Sequence, residues 1–245
     1  MQEQSQDRYI HRHDHAAIFM HWFNTVCWLV LFITGMGLIF DPQLNYLGMW
    51  LPDLLVGIFG SGKVVAQVHM YTGVGWALIF FVFFLTRYQM YVDFVKEVLK
   101  LNPPRDFAWM VRKNIQMILG KKGLKKLGMS TEIPPQPFYN VGQKLFAHQT
   151  LVSGALLFMT GMYMFLAVEV LANPHPEVWA WARAIHFLIA GLFLAGLLVH
   201  FYMAAISSEE KPAFKSMLTG YVSEEYAKHH HELWYEEVKK KREKE

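Results

Sequence analysis

Four long apolar blocks organise the chain, and none of them alternates polar with apolar residues in the way a half-buried surface helix does. They run over residues 16–40, 64–86, 145–168 and 181–206. At ~1.5 Å of rise per residue, each is long enough to cross a hydrocarbon core of ~30 Å, so each predicts a membrane-spanning helix. The pattern therefore predicts an all-α integral membrane protein, a four-transmembrane-helix bundle over residues 16–206 with a long polar connection at 87–144. Residues 1–15 and 207–245 read as tails. The first block is too long for a cleaved leader and reads as a signal-anchor. No internal repeat is expected.

Charge orients the bundle. Residues 87–144 carry eleven Lys and Arg against four Asp and Glu, whereas the other two connections are nearly free of Lys and Arg. The excess of positive charge on cytoplasmic loops predicts that this connection, and with it both termini, lies in the cytoplasm. Residues 41–62 then fall outside, although they are rich in Leu, Trp and Phe. They read equally as an interfacial loop or a docking surface. Composition agrees with a membrane protein: 53% of residues are hydrophobic, 16% aromatic and only 18% charged. The single cysteine, Cys27, excludes an internal disulfide, a Cys-ligated zinc site and an iron–sulfur cluster held by this chain alone. Nothing points to nucleic acid; the expected partners are lipid and other proteins.

Histidines inside the blocks carry the candidate chemistry. His21 lies near the cytoplasmic end of the first span and His69 near the outer end of the second. The fourth holds His186 near its outer end and His200 near its inner end. Fourteen residues at ~100° each leave His200 only ~40° from His186, so both share one helix face, ~21 Å apart along the axis. One face with two levels is what two porphyrins between helices require. A six-coordinate b-type haem takes two imidazoles at one depth, which pairs His69 with His186 and His21 with His200. Ionisable groups at membrane depth are costly and usually functional. A proton relay would need carboxylates that the spans lack, and zinc would need three or four ligands at one level. Gly73 and Gly196 share a face with a histidine and could admit a porphyrin edge, as could Gly35, Gly37, Gly75, Gly154, Gly161 and Gly191, although helix packing alone also uses such residues. His148, at the inner level of the third span, could replace His21, touch a haem propionate or line a quinone pocket. The pocket role ranks first.

Several stretches resemble a known family, the cytochrome b (gamma) subunit of membrane-bound formate dehydrogenase. They are "HWFN" at His21, "HMYTGVG" at His69, "FYNVGQKL" at 138–145, "RAIHFLIAGLFLAGLLVHFYMA" at 183–204 and "MLTGYVSEEYAKHHHELWYEEV" at 217–238. The likeness covers essentially the whole chain, and the third and fifth stretches are the specific ones. It implies two haem b groups, the outer iron held by His69 and His186 and the inner by His21 and His200. It implies electron transfer from a periplasmic iron–sulfur beta subunit to a quinone (menaquinone or ubiquinone) near the cytoplasmic face. The quinone pocket would draw on Asn140, Gly142 and Gln143, beside His148. Formate itself would be oxidised on a molybdenum or tungsten alpha subunit, with a higher oligomer of the complex in prospect. One departure is Ile18, where the family often has Arg; basic residues stand instead at Arg8 and Arg12.

Two other readings compete. A cytochrome b serving a nickel–iron hydrogenase or another periplasmic oxidoreductase shares the His-bearing helices. A haem-free anchor subunit would not need the paired histidines. The "HRHDH" run at 11–15 and the "HHH" run at 229–231 read as solvated and incidental, and residues 234–245 as an exposed charged helix or a disordered end.

Overall fold

Helix-forming runs and their end signals divide the molecule as follows. The computed structural model describes residues 9–170 and 175–244. A short strand β1 (Tyr9–His11) precedes α1 (His15–Met36), α2 (Trp50–Phe59) and α3 (Gly62–Thr86). Then come α4 (Tyr88–Leu99), α5 (Pro103–Lys126), α6 (Val141–Glu169) and α7 (Pro176–Phe201), which runs on through a wider turn to Ile206. The chain closes with α8 (Lys211–Thr219), β2 (Tyr221–Ser223), α9 (Glu224–His230) and α10 (Glu232–Arg242). α1, α3, α6 and α7 are the four helices long and apolar enough to cross a membrane. The expected all-α fold needs one amendment: β1 and β2 pair antiparallel, with Ile10 opposite Val222.

Helix ends explain where the spans depart from the apolar blocks. α1 stops at Met36 because the buried Asn45 side chain turns back to donate to the carbonyls of Met36 and Ile39, at 3.0 and 2.9 Å. Those carbonyls would otherwise be orphans of the last turn. α6 begins four residues before the apolar block. Asn140 accepts from the Gln143 amide at 2.9 Å, and Gln143 Oε1 accepts from the Asn140 amide at 3.0 Å. This reciprocal capping box fixes the helix start. α5 opens on Asn102, whose side chain accepts from the Arg105 amide, followed by two prolines in the first turn. Gly120, at φ 68°, kinks it. The apolar stretch at 41–62 is not a bare loop: α2 buries Leu51 and Leu55 with Met36 and Val65 and leaves Trp50, Leu54 and Ile58 exposed along its other face.

Two compact units result. One draws on residues 15–88, 150–170 and 175–199, the other on residues 9–14, 89–149 and 200–244. The second corrects the sequence reading of the termini as plain tails. Ile10, Val222, Tyr226, Ala227 and Trp234 form its core. Arg12 is buried between the rings of Phe138 and Trp234, its guanidinium carbon 4.6 and 4.9 Å from their centres. One of its terminal nitrogens donates to the Phe138 carbonyl at 2.7 Å. Arg8 lies outside the described residues.

His231 corrects the solvated reading of the "HHH" run, since it is fully buried. Its Nδ1 faces the Pro137 carbonyl at 2.8 Å and its Nε2 faces the Arg12 guanidinium at 3.3 Å. A carbonyl only accepts and a guanidinium only donates, so the ring must be neutral with its proton on Nδ1. Burial first, and then the Arg12 charge, push its pKa down to about 3. Beside it, Glu210 accepts from the Tyr226 hydroxyl and lies 3.5 Å from His230. Burial alone would raise that carboxyl, but hydrogen bonds from His230 and Tyr226 outweigh it and hold the pKa at about 2.

The sign of the pH effect follows. Unfolded, His231 takes up a proton near pH ~6.5; folded, it does so only at about 3. Between those values the unfolded state holds more protons, so acidification costs stability, by up to ~1.4 kcal/mol per pH unit for one site. Hydrogen-exchange protection of peptides spanning residues 9–12 and 222–234, corrected for intrinsic exchange, is expected to be flat above pH 7 and to fall from pH 6.5 to 5. His231→Asn keeps a donor toward Pro137 without the titration, and should flatten the profile in that window.

Candidate functional site

The first unit holds two antiparallel hairpins, α1 with α3 and α6 with α7, and they are built alike where it matters. Near the C-terminal end of α1 stands Thr34, whose hydroxyl donates to the Val30 carbonyl one turn back at 2.7 Å. It meets His69 Nδ1, on α3, at 3.0 Å. In the other hairpin Thr160 of α6 donates to the Leu156 carbonyl at 2.6 Å and meets His186 Nδ1, on α7, at 2.9 Å. A hydroxyl has one proton. With that proton given to the backbone, only its lone pairs face the imidazole, so Nδ1 is the donor. The backbone carbonyls of Leu31 and Leu157 also lie within hydrogen-bonding reach of these two imidazoles. Each ring is thus fixed as the Nδ1–H tautomer, which leaves Nε2 with a bare lone pair.

The residue after each threonine is a glycine, and the reason is steric. A Cβ on Gly35 would come within 3.2 Å of His69 Cε1, and one on Gly161 within 3.3 Å of His186 Cε1. The two helices carry the same signature, Phe-x-Thr-Gly-Met, at 32–36 and 158–162. This corrects the expectation that the chain has no internal repeat. The repeat escapes notice because it is short and set inside apolar sequence of similar composition. Thr34 and Thr160 were missed for the same reason, and the signal that could have found them is that duplicated pentapeptide.

His69 and His186 come together, their ring centres 6.2 Å apart and their planes at 75°. Both rings line an apolar cavity of about 190 Å³ that is partly open to its surroundings. Gly73, Gly154 and Gly161 line it too, with Trp28 and Phe193 packed edge to face at 4.8 Å on one side. The other glycines serve elsewhere: Gly37 lies under Leu55, Gly191 faces Tyr46, and Gly75 has open space around it. Trp76 donates to Asn24 at 2.8 Å, a further tie between α1 and α3.

The remaining sequence-predicted residues divide between the units. His21 belongs to the unit of the hairpins, where its ring meets Trp22 edge to face. His200 belongs to the other unit, where it stacks on Phe146 at 4.3 Å between ring centres. Asn140 and Gln143 form the capping box, Gly142 sits against Asn140 and Trp109, and His148 Nδ1 donates to the Lys144 carbonyl at 2.7 Å. Lys144 itself is buried and donates to the Lys100 carbonyl, a role the sequence did not suggest. Among the described residues no group of three or more His, Cys, Asp or Glu side chains is placed to hold a lone metal ion.

The family model described as prokaryotic cytochrome b561 matches residues 12–220. The chain belongs to the prokaryotic cytochrome b561 family. It is 25% identical over 224 residues to the formate dehydrogenase cytochrome b556(fdo) subunit of Escherichia coli (strain K12), spanning 91% of this chain and 90% of that protein. It is 26% identical over 242 residues to the formate dehydrogenase cytochrome b556 subunit of Haemophilus influenzae, covering 96% and 86% respectively. The nitrate-inducible cytochrome b556(Fdn) subunit of E. coli K12 is 24% identical over 220 residues, covering 90% and 87%. Membership of this family implies haem b, and with the four apolar helices it suggests a multi-pass protein of the inner membrane.

Within this b561 fold, larger side chains at Gly35 or Gly161 should push the histidine out of place. Gly35→Val and Gly161→Val are expected to cost ~1–3 kcal/mol each through overpacking, seen as a lower unfolding midpoint in detergent. Gly75→Ala, which adds a methyl to open space in a helix interior, should be neutral or slightly stabilising.

Proposed function

We propose that this chain is the diheme cytochrome b subunit of a respiratory formate dehydrogenase, carrying electrons from the periplasmic face to a quinone near the cytoplasmic one. The observation that carries the reading is the facing pair His69 and His186, each with Nδ1 tied to a threonine of its own hairpin. At ~2.0 Å per metal–imidazole bond, a metal between two imidazoles holds their ring centres about 6 Å apart, which the observed 6.2 Å fits. The glycine beneath each ring and the apolar cavity fit a flat, largely apolar macrocycle. These residues would hold the outer haem.

The second haem, between His21 and His200, is proposed from their common depth along the sequence. When bound, haem b supplies reversible one-electron chemistry, and the protein contributes binding, orientation and electrostatics. This chain's residues do the rest. The apolar walls exclude water from the outer site, and the threonines hold the imidazole protons so that Nε2 stays unprotonated. At the inner face, the side-chain NH₂ groups of Asn140 and Gln143 are donors a quinone carbonyl could accept from, since their amide oxygens are engaged in the capping box. His148 and Gly142 complete the proposed pocket. Both termini are placed in the cytoplasm by loop charge.

Formate as the ultimate donor follows from the relatives, which are named as formate dehydrogenase subunits. The implied partners are an iron–sulfur beta subunit and a molybdenum or tungsten alpha subunit, since a single cysteine cannot by itself ligate an iron–sulfur cluster. A reduced-minus-oxidised spectrum of the purified chain is expected to show a b-type α band. His69→Ala and His186→Ala should each remove the same one of two haems, with a pyridine haemochrome assay reading about half the wild-type content. Absence of any b-type band would sink the ligand assignment. Copurification of a nickel–iron hydrogenase in place of a molybdenum or tungsten enzyme would replace formate by hydrogen as the donor.

A further inference from the structure

We infer that Thr34 and Thr160 are positioning residues for the outer haem, each setting the protonation, ring orientation and electron donation of the imidazole it meets. The inference deepens the ligand reading of His69 and His186 and rests on it.

Neither threonine needs a histidine for its own sake. A hydroxyl within a helix is satisfied by bonding back to the carbonyl one turn earlier, and both make that bond. The imidazole gains from the threonine. An N–H among Leu, Phe and Met side chains costs free energy unless it is accepted, and the hydroxyl adds an acceptor to the backbone carbonyl nearby. The acceptor is also a favourable one. A hydroxyl that donates to a carbonyl becomes a stronger acceptor on its other side, so carbonyl, hydroxyl and imidazole form a polarised chain. The arrangement occurs twice, with Thr–N distances of 3.0 and 2.9 Å, at the same place in two hairpins that share one pentapeptide.

The consequence for a bound metal is directional. An acceptor on Nδ1–H draws the proton outward and enriches the ring, which makes Nε2 a stronger donor. A stronger axial donor favours the oxidised iron and lowers the midpoint potential. The same bonds stop each ring from turning about its Cβ–Cγ axis, and so hold the two planes at 75°. That crossed arrangement governs the low-spin ferric EPR signal of a haem with two axial imidazoles.

The test uses the full-length, haem-loaded protein in detergent, with potentiometric titration of the b-type α band and EPR of the oxidised form. The component missing from His186→Ala identifies the outer haem. In Thr34→Val and Thr160→Val that component is expected to keep its haem but titrate at higher potential. At a fixed ambient potential its reduced-to-oxidised ratio should therefore rise, and its EPR signal should move. Thr34→Ser and Thr160→Ser, which keep the hydroxyl, should restore both. An unchanged potential and EPR signal with full haem content in the valine variants would overturn the inference. If the valine variants lose the haem, retention at wild-type potential in the serine variants supports it, and equal loss in the serine variants overturns it. Retention of both haems in His69→Ala and His186→Ala is a separate result, which overturns the ligand reading beneath it.

Discussion

An imidazole placed within an apolar helix bundle has one polar hydrogen to satisfy, and the unit that holds the two hairpins is arranged around that constraint. Thr34 and Thr160 accept the protons of His69 and His186. Because each hydroxyl spends its own hydrogen on the helix backbone, the tautomer is decided without any charged partner. The geometry then propagates outward. Each threonine must lie one helix away from its histidine, which pins α1 to α3 and α6 to α7 at the level of the site. Each ring must lie over its neighbour helix at close range, which requires the glycines at 35 and 161. What remains beside the rings is an apolar space with two imidazoles at its edge.

A different solution to burial governs the other unit. There the buried groups are ionisable, and they are matched so that each keeps one charge state. His231 is neutral because it stands between a carbonyl and a guanidinium, and Arg12 stays cationic between two aromatic faces. Glu210 stays ionised because Tyr226 and His230 donate to it. The result joins the start of the chain to its end: Arg12 reaches Phe138 and His231, while β1 pairs with β2. A segment that looks like a charged tail therefore carries the core of a folded unit, with Trp234 and Tyr226 as its largest buried rings.

How far the sequence could be read differs between these regions. The four spans were legible because membrane-crossing helices need long apolar runs, and their edges moved only where a side chain, Asn45 or the Asn140–Gln143 pair, intervened at a helix end. The approach of His69 to His186 was legible because polar residues stand out in such runs and helical rise converts spacing into position along the helix. Thr34 and Thr160 were not. A threonine bonding back to its own helix is ordinary in an apolar span, so composition does not mark it. His231 was misread because three consecutive histidines beside lysines and glutamates look solvated, and nothing local reveals that Arg12, more than two hundred residues earlier, would stand over one of them.

By itself, then, the sequence determined everything that depends on position along one axis: the number of spans, their order, the place of each histidine along its helix and the charge asymmetry of the connections. Those quantities follow from helical rise and from the thickness of the bilayer. Only the tertiary structure decided what depends on facing another segment. That includes which group takes each imidazole proton, which glycine lies beneath each ring, that residues 32–36 and 158–162 are equivalent, and that the two ends of the chain share one core. The physical reason is that a hydrogen bond or a steric contact is a relation between two side chains in space, and a one-dimensional pattern shows at most one of them.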